Sequence, residues 1–515
     1  MNNYLENPRN RWTVLWILCG SLVIVVVSVS SLNVAIPEIQ RSLGATGSEL
    51  QWIVDSYAVV FAGLLLPAGA LGDRYGRKGA LLVGLAVLGA SSVGGMWASG
   101  PAELIIWRGL MGAGAALIMP ATLSIVTTVF PEDERPKAIA IWAGFAGAGG
   151  VVGLLSSGVL LEAFWWGSIF LVNVPLVVIM VFAVGRFVPT SRDGDQTPMD
   201  PIGGVVSTVG LVALVFGIIE GPEAGWTSAL VLGSFVVAIV ALTLFVSWEL
   251  RSEHPLLDPR FFKIRAFTIG SLVITLAFFG LFGMFFVLTQ YFQFVQGLSA
   301  LETGIRILPY ALVLLLVSPS SARLAAKHGE RDVMTVGLVV AAGGFVLLAF
   351  ANPGSLYLMI GVALVLIAAG TGLLMPPATT ALVVALPPEK AGVGSAVNDT
   401  TREVGGAIGI AIVGVLTSVG YRRSLGDAAD ELGEHAAEAG RDSIGALLLA
   451  THELPSETVA PVIETAREAF TDGMFFGMGL AAMTLAAAAV MVRALLEGPG
   501  ETRASDADTD QGVSA

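Results

Sequence analysis

Residues that hold metals or form disulfides are scarce in this 515-residue chain. It contains one cysteine, Cys19, which lies inside the first apolar segment, so an intramolecular disulfide framework and a cysteine-based metal site are excluded. All four histidines fall in predicted loops: His254, His328, His435 and His452. We therefore predict no metal site, no cofactor and no proton relay of histidines within the apolar segments.

Charge is scarce as well. Charged residues make up 13% of the chain, whereas soluble domains carry roughly a quarter, and 55% of the residues are hydrophobic. A helix of about 20 apolar residues crosses a bilayer, and about fourteen segments have this length and hydropathy. The sequence therefore predicts an all-α integral membrane protein with 14 transmembrane helices, for which the lipid bilayer is a necessary partner.

Lysine and arginine are distributed unevenly between the loops. An even number of spans puts both termini on one side of the membrane, and cytoplasmic loops collect positive charge. The short loops on the side of the termini hold most of these residues, whereas the short loops on the other side hold only Arg41. We predict a multi-pass plasma (inner) membrane protein with both termini in the cytoplasm. No basic face is present despite the loop cations, so nucleic acid is not an expected partner.

The two halves of the chain resemble each other. Residues 70–78 align with residues 323–331, and Gly84 and Gly337 stay in register beyond them. Six-span repeats at half-chain period occur in parallel-repeat transporters, and two spans between the halves are left over. We predict an N-terminal six-helix bundle in residues 1–190, two inserted helices with cytoplasmic linkers in 191–265, a C-terminal six-helix bundle in 266–496 with a long, partly helical outer loop at 421–471, and a disordered cytoplasmic tail at 497–515.

A short charged hairpin, residues 69–81, separates the second and third spans. Basic residues beside a span are ordinary topology signals, but topology does not explain the glycines or the acid. Glycines allow close approach and sharp turns, and an acid near helix ends can hold a neighbouring segment in one position. We predict a conformational latch formed by Gly69, Asp73, Arg74, Gly76 and Arg77.

The hairpin pattern Gly-x-Leu-x-Asp-Arg-x-Gly-Arg-Lys resembles the loop between helices two and three of the major facilitator superfamily of secondary transporters. Other stretches resemble the fourteen-helix drug:proton antiporters of that superfamily, across nearly the whole chain. They are residues 33–37, 51–57, 64–69, 169–175 and 255–258, and residues 394–396 with Arg402 and Gly405 before span thirteen.

The resemblance implies two six-helix bundles plus two extra central helices. It also implies a transporter without enzyme activity that exports lipophilic drugs or small-molecule metabolites by alternating access in exchange for protons, as in multidrug efflux. Two alternatives stay open: uptake or uniport of a small molecule by the same fold, and a non-transporting membrane scaffold or sensor. We expect a monomer.

Three charged residues fall within the predicted spans: Asp55, Arg108 and Arg306. A charge in the bilayer is costly, so such residues usually face a cavity or a partner. The surroundings of Arg108 resemble the family's helix-four motif, in which the arginine is tied to proton movement. Asp55 is either the group that exchanges the proton or a structural partner of Arg108, and both roles are compatible. For Arg306 we favour a structural role, with its side chain reaching the outer surface.

Small residues dominate the fifth span, and we predict that Gly149, Gly153 and Gly158 allow close helix packing. The chain departs here from the Gly-Pro pair of the family's antiporters, and Ser28 stands where many relatives have an aspartate. These departures argue against recognition of dicationic drugs, and a large apolar pocket with few charges would suit a lipophilic, neutral or weakly cationic substrate. The residues predicted to contact it are Ser28, Ser31, Asn33, Met119, Phe282, Phe286, Gln290 and Tyr291.

Overall fold

The computed structural model describes residues 7–190, 200–387, 390–451, 454 and 456–496. Within these residues, 14 helices are long and apolar enough to cross a membrane and no strand occurs, so the all-α, fourteen-span prediction is confirmed. We label them α1 (Pro8–Ser30), α2 (Gly47–Tyr75), α3 (Arg77–Met96), α4 (Pro101–Val129), α5 (Arg135–Ala163), α6 (Ser168–Phe187, interrupted at Val172), α7 (Pro201–Ala224), α8 (Ala229–Glu249), α9 (Arg265–Gln290), α10 (Ala300–His328), α11 (Glu330–Ala349), α12 (Tyr357–Val384), α13 (Ala391–Leu425) and α14 (Ser456–Leu495).

The same local signals begin and end equivalent helices in the two halves. A capping box, in which a hydroxyl and a carboxylate satisfy the first free N–H groups of a helix, starts both α2 and α10. The pairs are Thr46 with Glu49, and Ser299 with Glu302. Both helices end at a glycine with positive φ, Gly76 at 116° and Gly329 at 88°, a conformation that suits glycine. The repeat therefore extends to the backbone turns.

Close glycine contacts repeat as well. A side-chain carbon built on Gly84 of α3 would lie 2.7 Å from the carbonyl oxygen of Gly114 on α4. The equivalent carbon on Gly337 of α11 would lie 2.7 Å from the carbonyl oxygen of Gly370 on α12. Small residues at these crossings let the two backbones touch. Each half therefore packs its second helix hairpin in the same way.

The two inserted helices, α7 and α8, pack against each other and lie beside the surface along which the two halves meet. α7 contacts α2 along its length: Gly63 of α2 faces Val212, and the rings of Trp52 and Phe216 lie 5.6 Å apart between centroids. α7 also contacts α13 of the C-terminal half. The inserted pair thus covers the line along which α2 meets α13.

The long helix α13 begins earlier than predicted. Residues 394–406, which the sequence analysis placed before span thirteen, lie inside a continuous helix. The stretch predicted as an outer loop, 421–471, is shorter than expected because α13 continues to Leu425 and α14 begins at Ser456. It is partly helical between them, with helices at Glu434–Asp442 and Ile444–Ala450. The predicted tail, 497–515, lies outside the described residues.

Candidate functional site

The guanidinium group of Arg108 on α4 is buried among three helices and is 1% exposed. Its Nε donates to the carbonyl oxygen of Ile53 on α2 at 3.0 Å, and a terminal nitrogen donates to that of Ser28 on α1 at 2.9 Å. The guanidinium carbon also lies 4.7 Å from the ring centroid of Tyr57. Arginine carries five N–H donors in a rigid fork, so one side chain can tie α1, α2 and α4 together.

Asp55 lies on α2 near this guanidinium group. The two side chains attract each other electrostatically, and Asp55 is two residues after Ile53, whose carbonyl oxygen binds Arg108. The structure therefore brings the two predicted proton-coupling residues into one neighbourhood. Arg108 donates its backbone hydrogen bonds to carbonyl oxygens, which neither bind nor release protons, so among these groups Asp55 is the one that can titrate.

Three charged residues lie in the first half of α13: Asp399, Arg402 and Glu403. The sequence analysis missed Asp399 and Glu403, and it named Arg402 for the resemblance but placed it before the span. Asp399 is fully buried and Arg402 is 4% exposed. Arg402 is eleven residues beyond the start of α13, which is about 17 Å along the helix axis and close to the middle of a bilayer core. Their spacing places all three on one helix face. This spacing was visible in the sequence, but the predicted span began too late to include it.

A small polar network surrounds Asp399. Its Oδ1 accepts a hydrogen bond from Nδ2 of Asn398 at 3.1 Å and lies 3.9 Å from a terminal nitrogen of Arg402. The hydroxyl group of Thr379 on α12 donates to Oδ1 of Asn398 at 3.1 Å. Within the described part of the chain, Oδ2 of Asp399 and Nε of Arg402 have no hydrogen-bond partner. Each side chain of this ion pair therefore has one polar atom without a hydrogen bond in the described residues.

The guanidinium group of Arg402 lies between two aromatic rings. Its carbon is 5.0 Å from the ring centroid of Trp142 on α5 and 5.1 Å from that of Phe278 on α9. Trp142 is fully buried and held by a 3.1 Å hydrogen bond from its indole nitrogen to Thr122. Because α5 belongs to the N-terminal half and α9 to the C-terminal half, Arg402 bridges the two halves.

The charged groups of α13 also reach the Arg108 neighbourhood. Glu403 interacts electrostatically with Arg402 on one side and with Tyr57 on the other. Tyr57 is stacked against Arg108. Glu403 therefore links the neighbourhoods of Arg402 and Arg108 electrostatically.

The predicted latch residues meet α13 at the predicted cytoplasmic end. Asp73 is 5% exposed, and its carboxylate accepts hydrogen bonds from the backbone N–H of Gly392 at 2.9 Å and of Val393 at 3.1 Å. Arg77 forms a buried ion pair with Asp73 at 2.8 Å. An anion is stabilised at a helix N-terminus by the free N–H groups and the helix dipole. Asp73 thus joins α2 of one half to the start of α13 in the other.

The remaining hairpin residues serve this contact in different ways. A side-chain carbon on Gly69 would lie 2.5 Å from the carbonyl oxygen of Gly392, so only glycine permits the approach of α2 to α13. Gly76 has the positive φ that turns the chain between α2 and α3. The guanidinium carbon of Arg74 lies 5.4 Å from the ring centroid of Tyr75, the next residue of α2.

The three predicted packing glycines of α5 lie at close contacts with other helices. Side-chain carbons on Gly149 and Gly153 would collide with α1, at Val26 and Ser30 respectively, and one on Gly158 would lie 3.3 Å from Leu301 of α10. α5 therefore packs by small residues against a helix of its own half and against a helix of the other half.

Among the predicted substrate residues, Ser28 lies at a buried charge, because its carbonyl oxygen accepts a hydrogen bond from Arg108. Ser28, Ser31 and Met119 are buried in the N-terminal half, and the Ser28 hydroxyl group donates to a carbonyl oxygen of its own helix at 2.8 Å. The ring of Phe282 packs directly on Gly406 of α13. The side chain of Asn33 lies outside the described residues.

The structure does not bring Phe286, Gln290 and Tyr291 to the buried charges. Tyr291 is thirteen residues beyond Phe278, which is about 20 Å along the helix. Tyr291 is fully buried, and its hydroxyl group donates to the carbonyl oxygen of Asn352 at 2.8 Å, so it fastens α9 to the connection between α11 and α12. Phe286 is 44% exposed, and Gln290 donates to a carbonyl oxygen of its own helix.

Arg306 has protein partners at the same end of the bundle. A terminal nitrogen donates to Oε1 of Gln296 at 2.7 Å, and the guanidinium carbon lies 5.3 Å from the ring centroid of Tyr357. The hydroxyl group of Tyr357 donates in turn to the carbonyl oxygen of Arg306. This arrangement agrees with the structural role favoured from the sequence.

Two repeated bundles of membrane helices that meet along buried charged side chains are the architecture of secondary transporters of the alternating-access type. A sequence profile described as Major Facilitator Superfamily matches residues 18–410. The chain belongs to the Major Facilitator Superfamily.

Curated relatives and a solved structure agree with this assignment. The chain is 34% identical to the multidrug efflux pump LfrA of Mycolicibacterium smegmatis over 95% of this chain and 96% of that protein. It is 35% identical to the cephamycin export protein CmcT of Amycolatopsis lactamdurans, over 82% and 88% of the two chains. The crystal structure of the human organic anion transporter MFSD10 superposes with a TM-score of 0.60 at 14% identity, covering 92% of this chain and 99% of that one. At that identity the structural match shows the fold alone.

Proposed function

We propose that this protein exports lipophilic drugs or small-molecule metabolites across the plasma membrane by alternating access, in exchange for protons. The observation that carries the proposal is the pair of buried charged neighbourhoods, one around Arg108 inside the N-terminal half and one around Arg402 between the halves. Buried charges within a membrane protein mark ion or substrate pathways because they are costly to keep there. The names of the relatives, which include an efflux pump and an export protein, support the direction.

Asp55 and Arg108 are our candidates for proton coupling. An arginine held by carbonyl oxygens and a ring can change its partners without losing its charge, whereas a nearby carboxylate can take up and release a proton. Movement of α2 against α4 would alter the distance between them. One proton moving down a potential of about 100 mV supplies roughly 2.3 kcal/mol, before any pH gradient is added.

The cytoplasmic latch is the second part of the proposal. With both termini in the cytoplasm, Asp73 closes the cytoplasmic side by holding the start of α13. Release of this contact would open the path inward. The same proposal assigns residues 1–190 and 266–496 to the two moving bundles and residues 191–265 to an insertion beside them, in a monomeric protein.

The test uses purified protein in liposomes that contain a pH-sensitive dye. A panel of lipophilic compounds is added against an imposed proton gradient, and proton movement is recorded with and without each compound. We expect proton flux that depends on the compound and is lost in Asp55→Asn. Asp133→Asn, at an exposed loop position, is the matched control and should transport normally.

The alternatives give different results in this assay. Movement of a compound without proton flux would replace antiport by uniport. Uptake would show proton flux in the same direction as the compound. Absence of movement for every compound, in protein shown to be folded, would favour a scaffold or sensor.

A further inference from the structure

The two inserted helices meet at their predicted cytoplasmic end through a pair of buried carboxylates. Asp200, the residue before α7, is 7% exposed, and Glu249, the last residue of α8, is 2% exposed. Trp248 donates its indole N–H to Oδ2 of Asp200 at 2.7 Å, which ties the end of α8 to the start of α7. A side-chain carbon on Gly203 would collide with Oε1 of Glu249 and with Oδ2 of Asp200, so both carboxylates face the same place on α7.

The hydrogen bonds of these carboxylates leave their charge without a counterion. Oδ1 of Asp200 accepts a hydrogen bond from the backbone N–H of Gly203 at 2.8 Å, and Oε2 of Glu249 accepts one from that of Leu257 at 3.3 Å. Oε1 of Glu249 has no hydrogen-bond partner within the described residues. Backbone and indole N–H groups carry no net charge, and the two carboxylates repel each other. A buried pair of ionised carboxylates therefore needs a cation nearby.

Lys390, the residue before α13, supplies such a cation. It attracts Glu249 electrostatically. Its ammonium group donates to the carbonyl oxygen of Pro255 at 3.2 Å, two residues before the Leu257 N–H that binds Glu249. Leu257 is 6% exposed, so this short segment is packed into the protein. The segment thus joins the end of α8 to the start of α13.

We propose that the inserted helices hold the start of α13 through Lys390, with the buried carboxylates of Asp200 and Glu249 as the anchor. This inference rests on the proposed alternating access. Two and three residues beyond Lys390, the chain donates the N–H groups that bind Asp73 in the latch. The start of α13 is then held at two places, by α2 through Asp73 and by the inserted pair through Lys390. Glu249 and Lys390 are therefore positioning residues for the state that is closed at the predicted cytoplasmic side.

Hydrogen exchange of the purified full-length protein in detergent, followed by mass spectrometry, tests this inference without any transport step. The reporter is the peptide that contains Gly392 and Val393, whose N–H groups bind Asp73. Glu249→Gln and Lys390→Met keep the length of the side chain and remove its charge. Each variant should raise the exchange rate of this peptide about threefold or more, the size expected when a charge pair partly shielded from water is lost.

Matched controls come from the linker between α8 and α9. Glu253→Gln and Lys263→Met remove exposed charges there and should leave the exchange rate of the reporter peptide unchanged. The double variant of Glu249→Gln with Lys390→Met should exchange no faster than the faster single variant, because both substitutions break one contact. Residues that only stabilise the fold would instead raise exchange in helices remote from this place as well.

If Glu249→Gln fails to fold, Lys390→Met decides alone, because Lys390 is only half-buried. Unchanged exchange of the reporter peptide in folded Lys390→Met, or additive effects in the double variant, would overturn the inference. The proposed export function would survive either result if compounds still drive proton flux in liposomes. Loss of proton flux with every compound, together with the expected exchange pattern, would instead remove the export proposal and leave the contact between the inserted pair and α13 standing.

Discussion

Replacing Asp73 with asparagine keeps the shape of the side chain and removes its charge. In the structure, the Asp73 carboxylate accepts hydrogen bonds from two backbone N–H groups of the other half and from Arg77. All these partners are donors. The amide of asparagine offers one oxygen to them and turns its own NH2 group toward the rest, so Asp73→Asn weakens the contact that closes the predicted cytoplasmic side.

The expected size follows from these contacts. Hydrogen bonds to a charged group contribute about 1.5–3 kcal/mol each, and an anion at a helix N-terminus gains about 0.3–1 kcal/mol more. Because asparagine keeps part of the bonding, we expect a net loss of about 2–3 kcal/mol from the closed state. At about 1.4 kcal/mol per factor of ten, the ratio of open to closed molecules should rise roughly 30-fold to 140-fold.

Distance measurements between two spin labels can detect this shift. Cysteines replace Glu132 and Lys327, which are exposed at the predicted cytoplasmic end, one in each half. Cys19 is first replaced by serine so that the labels are specific. Wild-type protein should give mainly the short distance of the closed state, and Asp73→Asn should transfer much of the population to a longer distance.

A matched control separates this effect from a general loss of surface charge. Asp332 lies at the same end and pairs with Arg331 and Arg493, but all three belong to the C-terminal half. Asp332→Asn should therefore leave the distance unchanged. An unchanged distance in Asp73→Asn, or an equal change in both variants, would refute the assignment of Asp73 to the latch.

Three further substitutions test other contacts. Arg108→Lys replaces a fork of donors by a point charge that cannot reach two carbonyl oxygens and a ring together, so substrate-driven proton flux should fall at least about tenfold, measured in liposomes, while expression is retained. Gly153→Ala places a methyl group in the contact between α1 and α5 and should lower stability by about 1–3 kcal/mol, measured by thermal unfolding. In Gly150→Ala the added methyl group has no neighbour within 4 Å, so stability should stay unchanged. Gly69→Ala should lengthen the spin-label distance, whereas Gly79→Ala, whose methyl group also lies in open space, should leave it short. An equal effect of Gly153→Ala and Gly150→Ala, or of Gly69→Ala and Gly79→Ala, would contradict the assigned contacts.

The sequence determined the architecture because membrane spans are set by length and hydropathy, which are local properties. All 14 spans and the repeat of residues 70–78 in the second half are visible without a structure. The capping boxes at Thr46 and Ser299 are equally local. These features depend on residues that are neighbours in the chain.

The site was predicted less completely, because its geometry depends on contacts between distant segments. Arg108 was recognised from its own surroundings, but its backbone partners on α1 and α2 follow only from helix packing. Asp399 and Glu403 were missed because a run of glycine and polar residues at 391–406 lowered the local hydropathy and moved the predicted start of span thirteen. Tyr291 was predicted to contact substrate because it ends an aromatic-rich run, and the hydrogen bond from its hydroxyl group to the carbonyl oxygen of Asn352 could not be read from that run.

The position of the inserted pair has a consequence for how a membrane-dissolved compound reaches the protein interior. α7 lies along the line where α2 meets α13, so a helix that belongs to neither repeat covers that flank of the protein. If compounds enter between the repeats from the bilayer, we expect them to use the opposite flank, where α5 meets α10 through glycines. The inserted helices thus make the two flanks of a repeated fold unequal.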